Sequence, residues 1–262
     1  MPNCRSITVM FARERRGAIT ETLNWTGYVR VKDLSERFGV TEDCIRKDLA
    51  MLEREGLLSR LYGGAVRARI NPQEFNVAQR LGKDPAIKQT IAAKALSLIQ
   101  EGDTVFLDIS TSNARLSQLI AESQLKITVV TNMVAAMLNL SVSCPAELIF
   151  IGGTFSPGRD GFIGAQAIAA LEPFRFDAVF MGVVGVDIYR NRAETYLIDD
   201  GLTKASALRA GRKKYMLLET RKFGNSAPYK YAGIDEFTGL ITECPLPEGL
   251  NEALEPYAVA VM

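Results

Sequence analysis

FGVTEDCIRKDLAMLEREGLLSRLYGGAV, residues 38–66, decides how the first part of this chain folds. Gly39 suits a helix C-terminus, where a positive φ is cheap for a residue without Cβ. Thr41 is a good N-cap, and Glu42 and Asp43 favour the positive end of the helix that follows. That helix is expected to run to about Glu55, with Gly56 as its stop. On a helical wheel Ile45, Leu49 and Leu52 share one face at i, i+4 and i+7. Asp43, Lys47, Ala50 and Arg54 fall opposite, with Cys44 and Arg46 on the flanks. An apolar back and a free face of short residues and cations suit entry into the major groove, where long basic side chains reach phosphates and base edges.

Working outward, Arg13–Trp25 carries a helical stripe of Ala18, Ile19, Leu23 and Trp25, and Gly27 ends it. Tyr28–Val31 reads as a short extended entry into a second helix over Val31–Phe38. After Gly56, two extended stretches about a Gly63-Gly64 turn predict a β-hairpin. Helix, tight turn, helix and hairpin form a winged helix-turn-helix as a set: the helix-turn-helix over 31–50 and the wing over 57–66, within a domain of residues 10–66. Residues 67–74 (RARINPQE) read as a polar linker, and residues 1–9 fit no element and read as an extension.

Composition sets the remaining bounds. The chain has 262 residues, enough for a small domain and a medium one, with 47% hydrophobic and 23% charged residues. Residues 1–70 hold 13 Lys and Arg against 9 Asp and Glu; the rest holds 18 against 21, so only the first part suits an anionic partner. The sequence has no apolar run long enough for a membrane span and no secretory leader pattern. Its four cysteines are widely spaced and histidine is absent, which argues against a zinc site and a disulfide framework. Reduced thiols in a cytoplasmic protein are expected. Without histidine, no Ser-His-Asp or Cys-His nucleophile can be built, and carboxylate or lysine chemistry remains.

Beyond the linker, a helix over Ala86–Gln100 precedes alternating strands and helices. Strands are expected at Thr104–Leu107, Ile127–Thr131, Glu147–Ile151, Ala178–Val186, Tyr215–Leu218, Gly239–Thr242 and Ala258–Val261. Helices are expected over Ala114–Glu122, Met133–Leu140, Gly164–Leu171 and about Thr203–Gly211. The alternation predicts an α/β fold, Rossmann-like and mostly parallel, over residues 75–262. Such sheets bind ligands beyond the carboxyl ends of their strands.

Candidate residues collect at that edge. Asp108 ends the first strand, and Ser110, Thr111, Ser112 and Asn113 follow as a small hydroxyl-rich run before a helix. That run reads either as an anion cradle, with backbone N–H groups and the helix dipole aimed at one volume, or as ordinary N-capping by Ser112 or Asn113. Asn132, Gly152, Gly153 and Lys222 close other strands at the same edge. Asp200 and Lys204 read at least as well as members of a solvated helix face. On the DNA side, Thr41, Cys44, Arg46, Lys47, Arg60 and Tyr62 are the candidate contacts.

These residues carry a resemblance. Ile45, Arg46, Asp48, Leu49, Leu52, Gly56, Leu57, Arg60 and Gly63-Gly64 fall in register with the helix-turn-helix and wing of the DeoR family of sugar-metabolism repressors. GDTVFLDISTS, VVTN, IGGTF and ETRKFG resemble that family's sensor domain, which is similar to sugar-phosphate isomerases. The likeness runs from about Met10 to Cys244. It implies double-stranded operator DNA as partner, a phosphorylated sugar as effector and a homo-oligomer (dimer or tetramer); no cofactor, metal or membrane partner is expected. The chain departs from the family's usual glycine at Ser110, threonine at Cys44 and aspartate at Glu219. Two other readings stand beside a regulator: a sugar-phosphate isomerase with an appended DNA head, using Asp108, Asp200 or Glu219 as base, and a regulator that has lost its ligand.

Overall fold

A computed structural model describes residues 11–26, 28–67, 83–142, 144–156, 158 and 160–262. The expected extension over residues 1–9 and residues 68–74 of the expected linker lie outside the described residues. The chain divides into two compact units, the first of Met1–Ile70 with Phe223–Asn225 and the second of Asn71–Lys222 with Ser226–Met262.

In the first unit, helices α1 (Ala12–Thr26), α2 (Val31–Phe38) and α3 (Glu42–Arg54) are joined by the strands β1 (Tyr28–Arg30), β2 (Leu58–Leu61) and β3 (Gly64–Arg67). Gly39 sits at φ 62° after α2, and the Thr41 side chain caps α3 by accepting from the Cys44 N–H at 3.3 Å. Ile45, Leu49 and Leu52 are buried against Ile19, Leu23, Val31 and Leu34. At about 1.5–3 kcal/mol for each large side chain removed from water, this small cluster holds three short helices that would not persist alone. The three strands form an antiparallel sheet in the order β1-β3-β2. The hairpin turn is Tyr62-Gly63, with Gly63 at φ 77°, one position earlier than the Gly63-Gly64 turn of the sequence reading, and Gly64 is already in β3. Gly64 is required there, because a Cβ would lie 2.1 Å from the Val29 carbonyl oxygen.

The second unit is built on a parallel sheet of seven strands. In chain order they are β4 (Thr104–Leu107), β5 (Thr128–Thr131), β6 (Glu147–Phe150), β9 (Phe176–Gly182), β12 (Gly211–Leu217), β14 (Gly239–Ile241) and β15 (Ala260–Val261), in the spatial order β15-β14-β12-β9-β4-β5-β6. Between β6 and β9 lie an antiparallel pair, β7 (Thr154–Ser156) and β8 (Gly161–Ile163). Strands β10 (Gly185–Asp187), β11 (Arg192–Thr195) and β13 (Tyr229–Ala232) form a separate antiparallel sheet. The helices are α4 (Pro85–Leu96), α5 (Thr111–Glu122), α6 (Val134–Leu140), α7 (Ala165–Leu171), α8 (Ile198–Ala210) and α9 (Glu248–Leu254). Val105, Leu107, Val129, Phe180, Tyr215 and Leu217 of the sheet pack with Ile91 and Ala95 of α4 and Leu116 and Ile120 of α5. Because all seven strands are parallel, their carboxyl ends share one edge.

Three sequence readings are corrected. The apolar run 178–186 is two strands: β9 ends at Gly182, and β10 turns into the other sheet. Both halves are buried, so hydropathy does not mark the break. Helix α5 begins at Thr111 and not at Ala114, so Thr111–Asn113 form its first turn. Helix α8 begins at Ile198 and not near Thr203: the Thr203 hydroxyl donates to the Asp199 carbonyl at 2.7 Å from within the helix.

Candidate functional site

The exposed side of α3 holds Thr41, Arg46 and Lys47. The Arg46 guanidinium is held on its own helix by Glu42 at 2.5 Å and Asp43 at 2.6 Å. These are exposed pairs and give way readily to a better anion. Cys44 is half-buried and accepts from Arg15 Nη2 at 3.1 Å. In the wing, Tyr62 is fully exposed, while Arg60 is fastened to α3: its backbone N–H and its Nε donate to Glu53 at 2.9 and 2.7 Å. Those two bonds hold the Glu53 carboxyl below its ordinary pKa. The six DNA-side candidates thus lie along one helix and the hairpin tied to it.

Sequence reasoning missed Arg15. Its Nε meets Asp48 Oδ2 at 2.6 Å, both residues are buried, and the pair joins α1 to the back of α3. The hydrogen bond that Arg15 donates to Asp48 raises the Arg15 pKa further. A signal was present, since Asp48 lies between Ile45 and Leu52 on the apolar face, where a carboxylate needs a cation.

At the sheet edge, the Ser110 hydroxyl caps α5 by accepting from the Asn113 N–H at 3.1 Å. The capping residue is Ser110, and not Ser112 or Asn113. Thr111, Ser112 and Asn113 are buried in the first turn. Asn113 Nδ2 donates to the carbonyls of Asp108 and Phe180 at 2.8 and 2.7 Å, leaving its Oδ1 with no partner. Asn132 repeats the pattern: its Nδ2 donates to the Phe162 carbonyl at 2.7 Å and its buried Oδ1 is unmatched. Two orphaned acceptors call for donors, which buried oxygens rarely lack. Lys222 Nζ donates to the Val183 carbonyl at 2.9 Å. Gly152 and Gly153 follow β6, with Gly153 against Ile163 and Ala167.

Asp108 sits behind this edge. Its Oδ2 accepts from the Gly182 N–H at 2.8 Å and from the Lys204 ammonium, which also lies 3.8 Å from Asp200 Oδ1. Asp200 in turn accepts from the Thr195 hydroxyl. Asp108, Asp200 and Lys204 are all buried, so the solvated face expected for the last two is corrected: they form an ionic core joining β4 to α8. Burial pushes the Asp108 carboxyl above its ordinary pKa, against the pull of Lys204. Tyr231 donates its hydroxyl to the Gly182 carbonyl at 2.9 Å, and burial holds that phenol well above the usual tyrosine value. Glu219 is paired with Arg221 at 2.5 Å.

Comparison with known proteins follows the same division. Residues 15–71 match the model of a DeoR-like helix-turn-helix domain, and residues 83–244 match that of the DeoR C terminal sensor domain. A lactose phosphotransferase system repressor of Streptococcus mutans is 30% identical over 236 residues, 90% of this chain and 93% of that one. A putative aga operon transcriptional repressor of Escherichia coli O157:H7 is 29% identical over 251 residues, 95% of this chain and 93% of that one. Among solved structures, a ribose 5-phosphate isomerase A of Methanocaldococcus jannaschii overlaps 54% of this chain and 55% of its own, with a TM-score of 0.40 and 13% identity.

Proposed function

This chain belongs to the DeoR family of transcriptional regulators, and from that premise we propose that it represses genes of sugar or sugar-derivative catabolism and leaves its operator when a phosphorylated sugar binds its second unit. The observation that carries the DNA half is α3, whose apolar back is buried while Arg46 and Lys47 stand exposed beside the wing. Arg46, Lys47 and Arg60 supply salt-dependent phosphate contacts, and Thr41, Cys44 and Tyr62 border them. On this reading residues 10–66 bind DNA, 67–74 link, and 75–262 sense the effector in a cytoplasmic homo-oligomer, dimer or tetramer.

The sensing half is supported by the sheet edge. Ser110–Asn113 offer hydroxyls and a helix N-terminus to an anion, and the orphaned Oδ1 atoms of Asn113 and Asn132 suit sugar hydroxyls. On this reading Lys222 and Gly152-Gly153, which follow β12 and β6 at the same sheet edge, also contribute to the site. Asp108 serves as a positioning residue, since its engagement with Gly182 and Lys204 fixes where the loop begins.

An isomerase reading is disfavoured by the same bonds. Asp108 and Asp200 are tied to Lys204, and Glu219 to Arg221, so each candidate base is already engaged.

The test is duplex binding by fluorescence anisotropy, with and without phosphorylated sugars, on DNA selected by the protein from a random pool. Affinity is expected to fall about 5–150-fold with one such sugar, the usual range of allosteric coupling. Affinity indifferent to every phosphorylated sugar tried removes the sensing half and leaves the DNA half standing.

A further inference from the structure

An open groove of about 510 Å³ runs between the first turn of α4 and one face of α5. That volume falls in the range of small-ligand sites, about 300–1,000 Å³. Lys88 and Gln89 line it from α4; Thr111, Arg115 and Gln118 line it from α5. Among the described residues, none on its walls is acidic. Thr111 is the first residue of α5, so the groove opens at the end of the helix where the Ser110 cap lies.

Arg115 is the informative residue. It is half-buried, its Nε is bonded to Gln89 Oε1, and its Nη1 donates to Gln118 Oε1 at 2.6 Å. Among the described residues it makes no ion pair. Two neutral amides orient the guanidinium without neutralising it, and a partly desolvated cation in that position is stabilised by an anion. Lys88 is buried on the same wall, where its ammonium donates to the Lys83 carbonyl. Asp84, which precedes α4, is engaged by Arg221 at 2.8 Å.

We propose that this groove is a specificity subsite for a phosphorylated polyol, in which Arg115 takes the anionic group and Gln89 and Gln118 exchange their bonds to Arg115 for bonds to ligand hydroxyls. The proposal rests on the sensing function above and extends it to three residues outside the hydroxyl-rich loop. It also accounts for why a guanidinium is held by side chains that both donate and accept: a glutamine amide freed from Arg115 can serve a hydroxyl in either sense.

The experiment is calorimetric titration of the full chain with ribose 5-phosphate, glucose 6-phosphate, fructose 1-phosphate, the unphosphorylated sugars and inorganic phosphate. It is repeated on Arg115→Ala and Gln89→Glu, with thermal melting of each apo protein as the fold control. Gln89→Glu is the sharper variant, because a carboxylate beside Arg115 keeps that contact, holds or raises the melting temperature, and cancels the charge the ligand needs. The expected result is that at least one sugar phosphate binds the wild type and that both variants weaken it by about tenfold or more. Wild-type binding retained within twofold in both folded variants overturns the groove alone. A wild type that binds none of the sugar phosphates overturns the sensing function and the groove with it. Inorganic phosphate binding as tightly as every sugar phosphate overturns the polyol assignment.

Discussion

At the scale of single residues, the Arg15–Asp48 pair supports the first unit in a way the exposed charges do not. Both side chains are removed from water, so truncating one strands the other. Asp48→Ala is expected to lower stability by about 3–5 kcal/mol in urea unfolding, the usual cost of breaking a buried pair. Replacing both at once, Arg15→Met with Asp48→Leu, is expected to recover most of that loss. Equal losses from the single and the double variant would mean the pair is not what matters. The exposed Arg46–Glu42 and Arg46–Asp43 contacts, worth at most about 1 kcal/mol each, hold the guanidinium only until a phosphate or a base edge competes.

At the scale of elements, the close passage of β3 under Val29 makes a sharp prediction. Gly64→Ala puts a methyl carbon on a backbone oxygen, and is expected to cost about 3 kcal/mol or to dissolve the wing sheet. Gly63→Ala meets open space and carries only the positive-φ penalty, about 1–2 kcal/mol. Similar losses at both positions, read by chemical denaturation, would contradict this account of the wing. The helix-turn-helix was legible because its signals are local: the Thr41 cap, Gly39 at positive φ, and an apolar stripe of one period. The parallel sheet was legible from alternation. What sequence reading lost were features set by partners distant in the chain. Gly182 ends β9 because its N–H is taken by Asp108 and its backbone lies against Ser110, facts invisible in the run AVFMGVVGV. Lys204 looked like a surface lysine because its two carboxylates come from β4 and from the previous turn of α8. The strands β10, β11 and β13 are short and mixed in pattern, and only their pairing defines them.

That ionic core yields an element-scale prediction with a sign. The folded-state pKa of Asp108 is raised, so its contribution is most favourable at low pH and diminishes as the pH rises through the folded value. Lys204→Met removes the cation that lies between two buried carboxylates and is expected to cost about 3–5 kcal/mol at neutral pH. The deficit relative to wild type should shrink at pH 5, where a carboxyl can take up a proton, and grow at pH 8. A deficit that does not vary with pH, followed by thermal melting, would mean that Asp108 is not the group left uncompensated.

At the scale of the whole molecule, the chain is a DNA-reading unit and a sheet-based unit with a polar edge. Among the described residues, no helix is long and apolar enough to cross a membrane. The family comes from matches to both units, whereas the effector and the groove remain chemical readings of side chains in the second. Calorimetry with sugar phosphates addresses those readings without involving DNA, so the two functions can succeed or fail separately.

The most direct test of the central claim is the ionic-strength dependence of duplex affinity, compared between the wild type and Arg46→Ala/Lys47→Ala. Each lost phosphate contact lowers the log–log slope by about 0.9, so the double variant should bind more weakly and with a slope shallower by roughly two units per DNA-binding unit engaged. An unchanged affinity and slope in a folded double variant would contradict the assignment of α3 as the helix that meets the duplex.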